Sequence, residues 1–305
     1  MKNIKITLWI IPAFLTVLWL AAYLPFSAPL SFISVRNLLV QYSGVLSIGA
    51  MSVAIILATR ARWLESWLNG LDKSYRLHKW LGIFALVAGS AHWLMAKGPK
   101  WMVQWGLMER PQRGQPATDA ADLGAIQELF SGARDTAESI GEWAFYAAAL
   151  LIALALIKRF PYRYFVSTHK LIAIAYLALT VHAVVLLKFS VWAQPLGFAM
   201  GLLMAGGVFA ALLALTRQIG KRHRVRGTIE SLNYFSEMRV LETSICLDEG
   251  WPGHTGGQFA FVTFARSESP HPFTIASAWN PEERSIMFIT KALGDYTQLL
   301  PDHLK

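Results

Sequence analysis

Apolar and polar positions alternate along this chain on two different length scales. Over the first two thirds, long apolar runs are separated by charged connections; over the last third the alternation shortens to every second residue. Six runs reach or approach the ~20 residues that cross a hydrocarbon core. They are Ile6–Leu24, Leu38–Thr59, Leu77–Met95, Ile140–Ile157, His169–Leu187 and Pro195–Thr216, the fourth being the shortest. The first run is long for a signal peptide, and Pro29 directly follows the candidate cleavage stretch Phe26-Ser27-Ala28, so it reads as an uncleaved span. Beyond Thr216, "GTIESLNYFSEMRVLETSICL" alternates as a strand pair would, and "GGQFAFVTF" is a further strand opened by Gly256 and Gly257. "SPHPFTIAS" and "RSIMFITKALGDYTQLL" follow. The pattern predicts two domains: a six-span all-α membrane bundle over 1–216, then the beginning of a small soluble β domain over 217–305.

Composition strengthens the membrane reading. Charged residues make up 15% of the chain and hydrophobic ones 54%, against about 25% charged in a soluble domain. The net charge of +9 would suit nucleic acid, but the basic residues sit at the ends of apolar runs, which fits a lipid bilayer and no nucleic acid. Arg60, Arg62, Lys73 and Arg76 follow span two; Lys158, Arg159 and Arg163 follow span four; Arg217, Lys221, Arg222, Arg224 and Arg226 follow span six. The opposite connections are poorer in Lys and Arg, and the long one between spans three and four mixes signs with Asp119, Asp122, Glu128 and Asp135. Both termini are therefore expected on the cytoplasmic side of a bacterial-type inner membrane. The single cysteine, Cys246, excludes an internal disulfide framework and any multi-cysteine metal site.

Four of the eight histidines then acquire an order. "RLHKWLGIFALVAGSAH" carries His78 and His92 on span three; "STHKLIAIAYLALTVH" carries His169 and His182 on span five. Both spans run outward, so His78 and His169 fall near the inner face and His92 and His182 near the outer face. At 1.5 Å per residue the two levels stand roughly 20 Å apart. Ionisable residues inside a span point to function. Two imidazoles make a poor site for a bare ion, and Glu142 is the only acidic candidate in a span. They suffice for haem iron, whose macrocycle supplies the other four nitrogens. Gly82, Ala88, Gly89, Ser90, Ala91, Ala173, Ala175 and Ala178 leave room beside the ligands. Lys79 and Lys170 are candidates for inner propionates, and Lys97, Lys100 or Lys188 for outer ones. The competing readings are buried histidines bonded to backbone carbonyls, or a proton path. Fourteen residues on an ideal helix return to within about 40° of one face but thirteen land about 140° away, so span five must depart from ideality or meet its partners at different angles.

The histidine spacing together with His-Pro-Phe-Thr-Ile-Ala-Ser resembles the ferric reductase and NADPH oxidase superfamily, from the second span to Lys305. The resemblance implies two b-type haems, the inner ligated by His78 and His169 and the outer by His92 and His182. It implies that 217–305 is the start of a cytoplasmic antiparallel β-barrel carrying FAD, lined by His271, Pro272, Phe273, Thr274, Ile275, Ala276 and Ser277, with Lys291, Gly294, Tyr296 and Thr297 of "KALGDYT" matching a second flavin-phosphate stretch. The residue chemistry agrees: Phe273 offers an apolar face, Thr274 a hydroxyl, and backbone amides near Ser277 can receive a pyrophosphate. Two features depart from the family pattern. No G-x-G-x-x-G is present, so the nicotinamide site for NAD(P)H is expected outside this chain, read as a truncated piece or one served by a separate reductase domain. Ala96 stands where some family oxidases carry a further histidine; Arg36, at the outer start of span two, is the candidate catalytic charge in its place.

The expected activity is electron transfer from a cytoplasmic flavin through the stacked haems to an outer acceptor, dioxygen giving superoxide or alternatively a ferric chelate. A periplasmic acceptor protein docking on the long outer connection is a third possibility, although Pro111–Asp122 has the composition of a loose link. A non-redox transporter using histidines as proton carriers is the fourth.

Overall fold

The computed structural model describes residues 2–24, 31–61, 67–68, 70–109, 124–221, 224–264 and 270–304. The segments Phe26–Ala28 and Pro111–Asp122, and Ser269 at the head of the flavin-like stretch, lie outside the described residues. The chain divides into a helical unit, Met1–Leu64 with Lys73–Ile219, and a β unit, Glu65–Asp72 with Gly220–Lys305.

The helices are α1 (Lys2–Tyr23), α2 (Phe32–Leu57), α3 (Leu71–Gln104), α4 (Ala125–Gly132), α5 (Arg134–Leu156), α6 (Tyr162–Leu186) and α7 (Pro195–Leu215). All but the short α4 are long and apolar enough to cross a membrane. The apolar runs located the helices but not their ends. The third helix extends well past Met95, through Pro99 to Gln104, and the fourth span begins six residues early, at Arg134 rather than Ile140. Polar residues there continue the helix beyond the depth that hydropathy can detect.

Local chemistry sets several ends. Ser31 and Ser34 cap α2 reciprocally, each hydroxyl accepting from the other's backbone N–H. Pro195 opens α7, where its missing N–H costs nothing. Just past the C-terminal ends of α2 and α7 the chain turns through left-handed residues, Arg60 at φ 58° and Arg217 at φ 57°. Glycine usually takes such positions, and a side chain there costs about 1–2 kcal/mol; a cation at the negative end of the helix dipole offsets part of it.

In the β unit, β1 (Gly227–Phe235), β2 (Val240–Leu247) and β5 (Ser285–Lys291) form an antiparallel sheet in the order β1-β2-β5. β3 (Phe259–Val262) pairs with β4 (His271–Thr274). A bridge from Ile275 to Phe288 joins the two sheets, and α8 (Asp295–His303) closes the described chain. Leu241, Ile245, Phe273, Ile275, Ile286, Phe288 and Leu300 make the shared core.

Candidate functional site

The helical unit brings the four histidines together in the expected pairs. The rings of His78 and His169 have centres 5.7 Å apart at an interplanar angle of 62°; those of His92 and His182 are 6.1 Å apart at 87°. α6 carries the thirteen-residue step without a break, and the two pairs meet at different angles.

What orients the rings is backbone. His78 Nδ1 lies 2.8 Å from the Ala54 carbonyl, His92 Nδ1 2.9 Å from Val40 O, and His182 Nδ1 2.8 Å from Ala137 O. A carbonyl only accepts, so in each neutral ring the proton sits on Nδ1 and Nε2 keeps its lone pair. His169 differs, with its Nδ1 buried and without a partner; its ring stacks on Phe165 at 5.0 Å instead. Gly141 faces His182 so closely that a Cβ there would overlap the ring, and a Cβ at Gly44 would make a tight contact with His92 at 3.2 Å.

These residues fit haem. Two imidazoles on opposite sides of one iron, each nitrogen about 2 Å from the metal, have centres roughly 6 Å apart. Both ring planes contain the nitrogen–metal axis, so any angle between them is allowed. Among the described residues no three His, Cys, Asp or Glu side chains cluster, so each level offers two donors, which suits a macrocycle that supplies the rest. A carbonyl on Nδ1–H is also the usual partner of a ligating imidazole.

A cavity of about 990 Å³ opens at the His92 pair, the upper end of the range for ligand pockets. Met51, Phe145 and Met204 line it towards the middle of the helices; Arg36, Lys97 and Lys100 line it at the rim. Lys97 is engaged in an ion pair with Glu142 at 2.5 Å, and Tyr146 donates to the same carboxylate at 2.7 Å. Glu142 is thus committed to Lys97 rather than to a metal. Arg36 is committed as well: Nε donates to Met95 O and a terminal nitrogen to Ala96 O, both at 2.9 Å. Lys79 is exposed and Lys170 half-buried.

The β unit places the flavin-like residues partly in its core and partly at its surface. Phe273 and Ile275 are 8% and 2% exposed and belong to the core. Strand alternation turns them inward while Pro272, Thr274 and Ala276 face out. His271 is covered by Tyr296 in a parallel stack at 3.7 Å. Ser277 Oγ accepts from Met287 N–H at 3.1 Å. Thr297 Oγ1 accepts from the Leu293 and Gly294 amides, tying off the start of α8. Lys291 is exposed at the end of β5. Pro272, Thr274, Ala276 and Lys291 are exposed.

Sequence reasoning missed His254. Trp251 Nε1 donates to its Nδ1 at 3.1 Å, and its Nε2–H donates to Ser277 O at 3.2 Å. Burial pushes its pKa below the ordinary histidine value despite the Ser277 bond. The isolated His in "PGHTGG" carries no spacing signal that would have singled it out.

Residues 43–180 match the family described as the ferric reductase like transmembrane component. The match covers His78, His92 and His169 and stops just short of His182. Over residues 43–180 the chain is thus similar to that family of transmembrane oxidoreductases. Among curated proteins none matches the chain.

Proposed function

We propose that this protein carries electrons across a plasma membrane, with both termini cytoplasmic. His78 and His169 would hold an inner haem b and His92 and His182 an outer one. The residues 1–216 would form the di-haem domain, and 217–305 would bind FAD along Pro272, Thr274, Ala276, Ser277 and Lys291. Bound there, the two irons would pass single electrons from a flavin fed by NAD(P)H to an acceptor at the outer face. The observation that carries the reading is the pairing of four imidazoles at two levels, with Nδ1 of three of them spent on carbonyls.

The chain's own contribution is orientation and exclusion of water. α2 and α5 supply carbonyls that fix three ring planes, and small residues at 44 and 141 admit the rings. With both imidazoles of the outer pair holding the group, an acceptor would be met at the cavity rim beside Lys97 and Lys100. Dioxygen, leaving as superoxide, is the first acceptor proposed; a ferric chelate is the second, favoured by the cationic rim.

A reduced-minus-oxidised absorbance spectrum of the purified chain tests the proposal. Two b-type haems per chain are expected, and His78→Ala should remove one. A colourless protein, or one pigment per chain, overturns it. Superoxide trapping with and without ferric citrate, with FAD and nicotinamide supplied, then separates the two acceptors.

A further inference from the structure

α2 and α3 run antiparallel and are joined by four cross-helix rungs. Arg36 donates to Ala96 O, the Val40 carbonyl accepts from His92, Ser47 donates to Ala85 O at 3.0 Å, and the Ala54 carbonyl accepts from His78. In each rung the two residue numbers add to the same total, 132. Successive rungs step by four, seven and seven residues along α2, the period of a 3.5-residue seam. The fourteen residues between His78 and His92 are therefore two heptads of this seam, matched by the fourteen between Val40 and Ala54.

The end rung is made differently from the others. Pro99 lies inside α3. It has no N–H for the carbonyl four residues back, and its ring crowds that carbonyl. The orphaned acceptor is Met95 O, and Arg36 Nε donates to it. The same guanidinium reaches Ala96 O and the Asn37 side chain. Arg36 thus supplies from α2 the hydrogen bond that Pro99 removes from α3, one turn beyond His92 and one turn before Val40.

We propose that Arg36 is a positioning residue, acting with Pro99 as a unit: it replaces the missing helical N–H and so fixes the α2–α3 register that delivers the Val40 carbonyl to His92. This differs from the role of a catalytic charge at the acceptor. A charge would act whatever stands at position 99. A surrogate donor is needed only while Pro99 is there.

The test is a double-mutant cycle on the full chain. Arg36→Met should lower the melting midpoint by roughly 4 °C and shift the absorbance of the His92-level haem. Pro99→Ala restores the N–H, so Arg36→Met in that background should recover most of both changes. Arg36→Lys keeps the charge but loses the fork and should resemble Arg36→Met. If Arg36→Met does not fold, recovery of folding by Pro99→Ala supports the proposal, and failure of the double variant to fold overturns it. It is also overturned if Arg36→Lys matches the parent, if Arg36→Met has no effect, or if the two substitutions add independently. The spectral readout rests on the haem assignment and the melting readout does not, so a protein without haem sinks that assignment and leaves the coupling measurable.

Discussion

Histidines in the two units use their nitrogens in opposite ways. In the helical unit, His78, His92 and His182 each donate Nδ1–H to a carbonyl of another helix, which leaves Nε2 as the available nitrogen. In the β unit, His254 donates Nε2–H to Ser277 O and accepts an indole N–H at Nδ1, which leaves neither. The first arrangement leaves a lone pair available; the second closes a loop onto a strand. The residue type is the same, and the tautomer imposed by the surroundings decides whether it can ligate. His169 stands outside both patterns, held by ring packing on Phe165.

The comparison breaks most sharply at Gly141. Alanine there gains about 1 kcal/mol of helix propensity. Its Cβ would overlap the His182 ring, and overpacking of a closed site costs about 1–3 kcal/mol. The clash wins, because relieving it means moving the ring off Ala137 O. On the proposed haem assignment, Gly141→Ala is expected to take the haem count from two towards one, with the His78 pair spared. A variant that keeps both haems with unchanged spectra shows that the glycine does not shape the His182 site.

The pairing was legible because hydropathy marks the spans and the histidine steps along two of them are nearly equal, from His78 to His92 and from His169 to His182. What was not legible is carried by the backbone. Val40, Ala54 and Ala137 act through carbonyls that every residue has, so their letters say nothing of the role. Arg36 was recognised for its charge, but its geometry depends on Pro99, sixty-three positions away. In the flavin-like stretch the residue types in "HPFTIAS" suggested a ligand-lining strip, whereas strand alternation sends Phe273 and Ile275 inward and leaves Pro272, Thr274 and Ala276 outward. Period-two reasoning applied residue by residue would have separated them.

A second test asks whether buried polar contacts in the helical unit matter when no imidazole is involved. Tyr176 and Ser52 are both 0% exposed, and their hydroxyls lie 2.8 Å apart between α6 and α2. Gly207 makes room for the phenol. Hydrogen bonds between membrane helices average about 0.6 kcal/mol and reach roughly 1.7. Tyr176→Phe should therefore lower stability by about 1 kcal/mol in a detergent or bilayer unfolding assay while the haem count stays at two. A loss of haem would mean that this pair holds the histidines in place as directly as the carbonyls do.

The smallest effect belongs to His254, and its sign follows from which nitrogen accepts. Protonating Nδ1 would turn it into a donor facing the Trp251 indole N–H, so the folded state resists the proton, as burial already does. The folded pKa lies below the unfolded value of 6.5. Between the two, the unfolded chain binds a proton that the folded chain does not. The contribution is complete above about pH 6.5 and is lost as pH falls from there through the folded pKa. His254→Gln keeps an N–H for Ser277 O and cannot titrate. Its melting midpoint, followed from pH 8 to pH 5 against the parent, should fall less steeply below about pH 6.5. Parallel curves would show that the Trp251–His254–Ser277 chain does not select the neutral ring, and the contrast between closed and available histidines would lose its β-unit half.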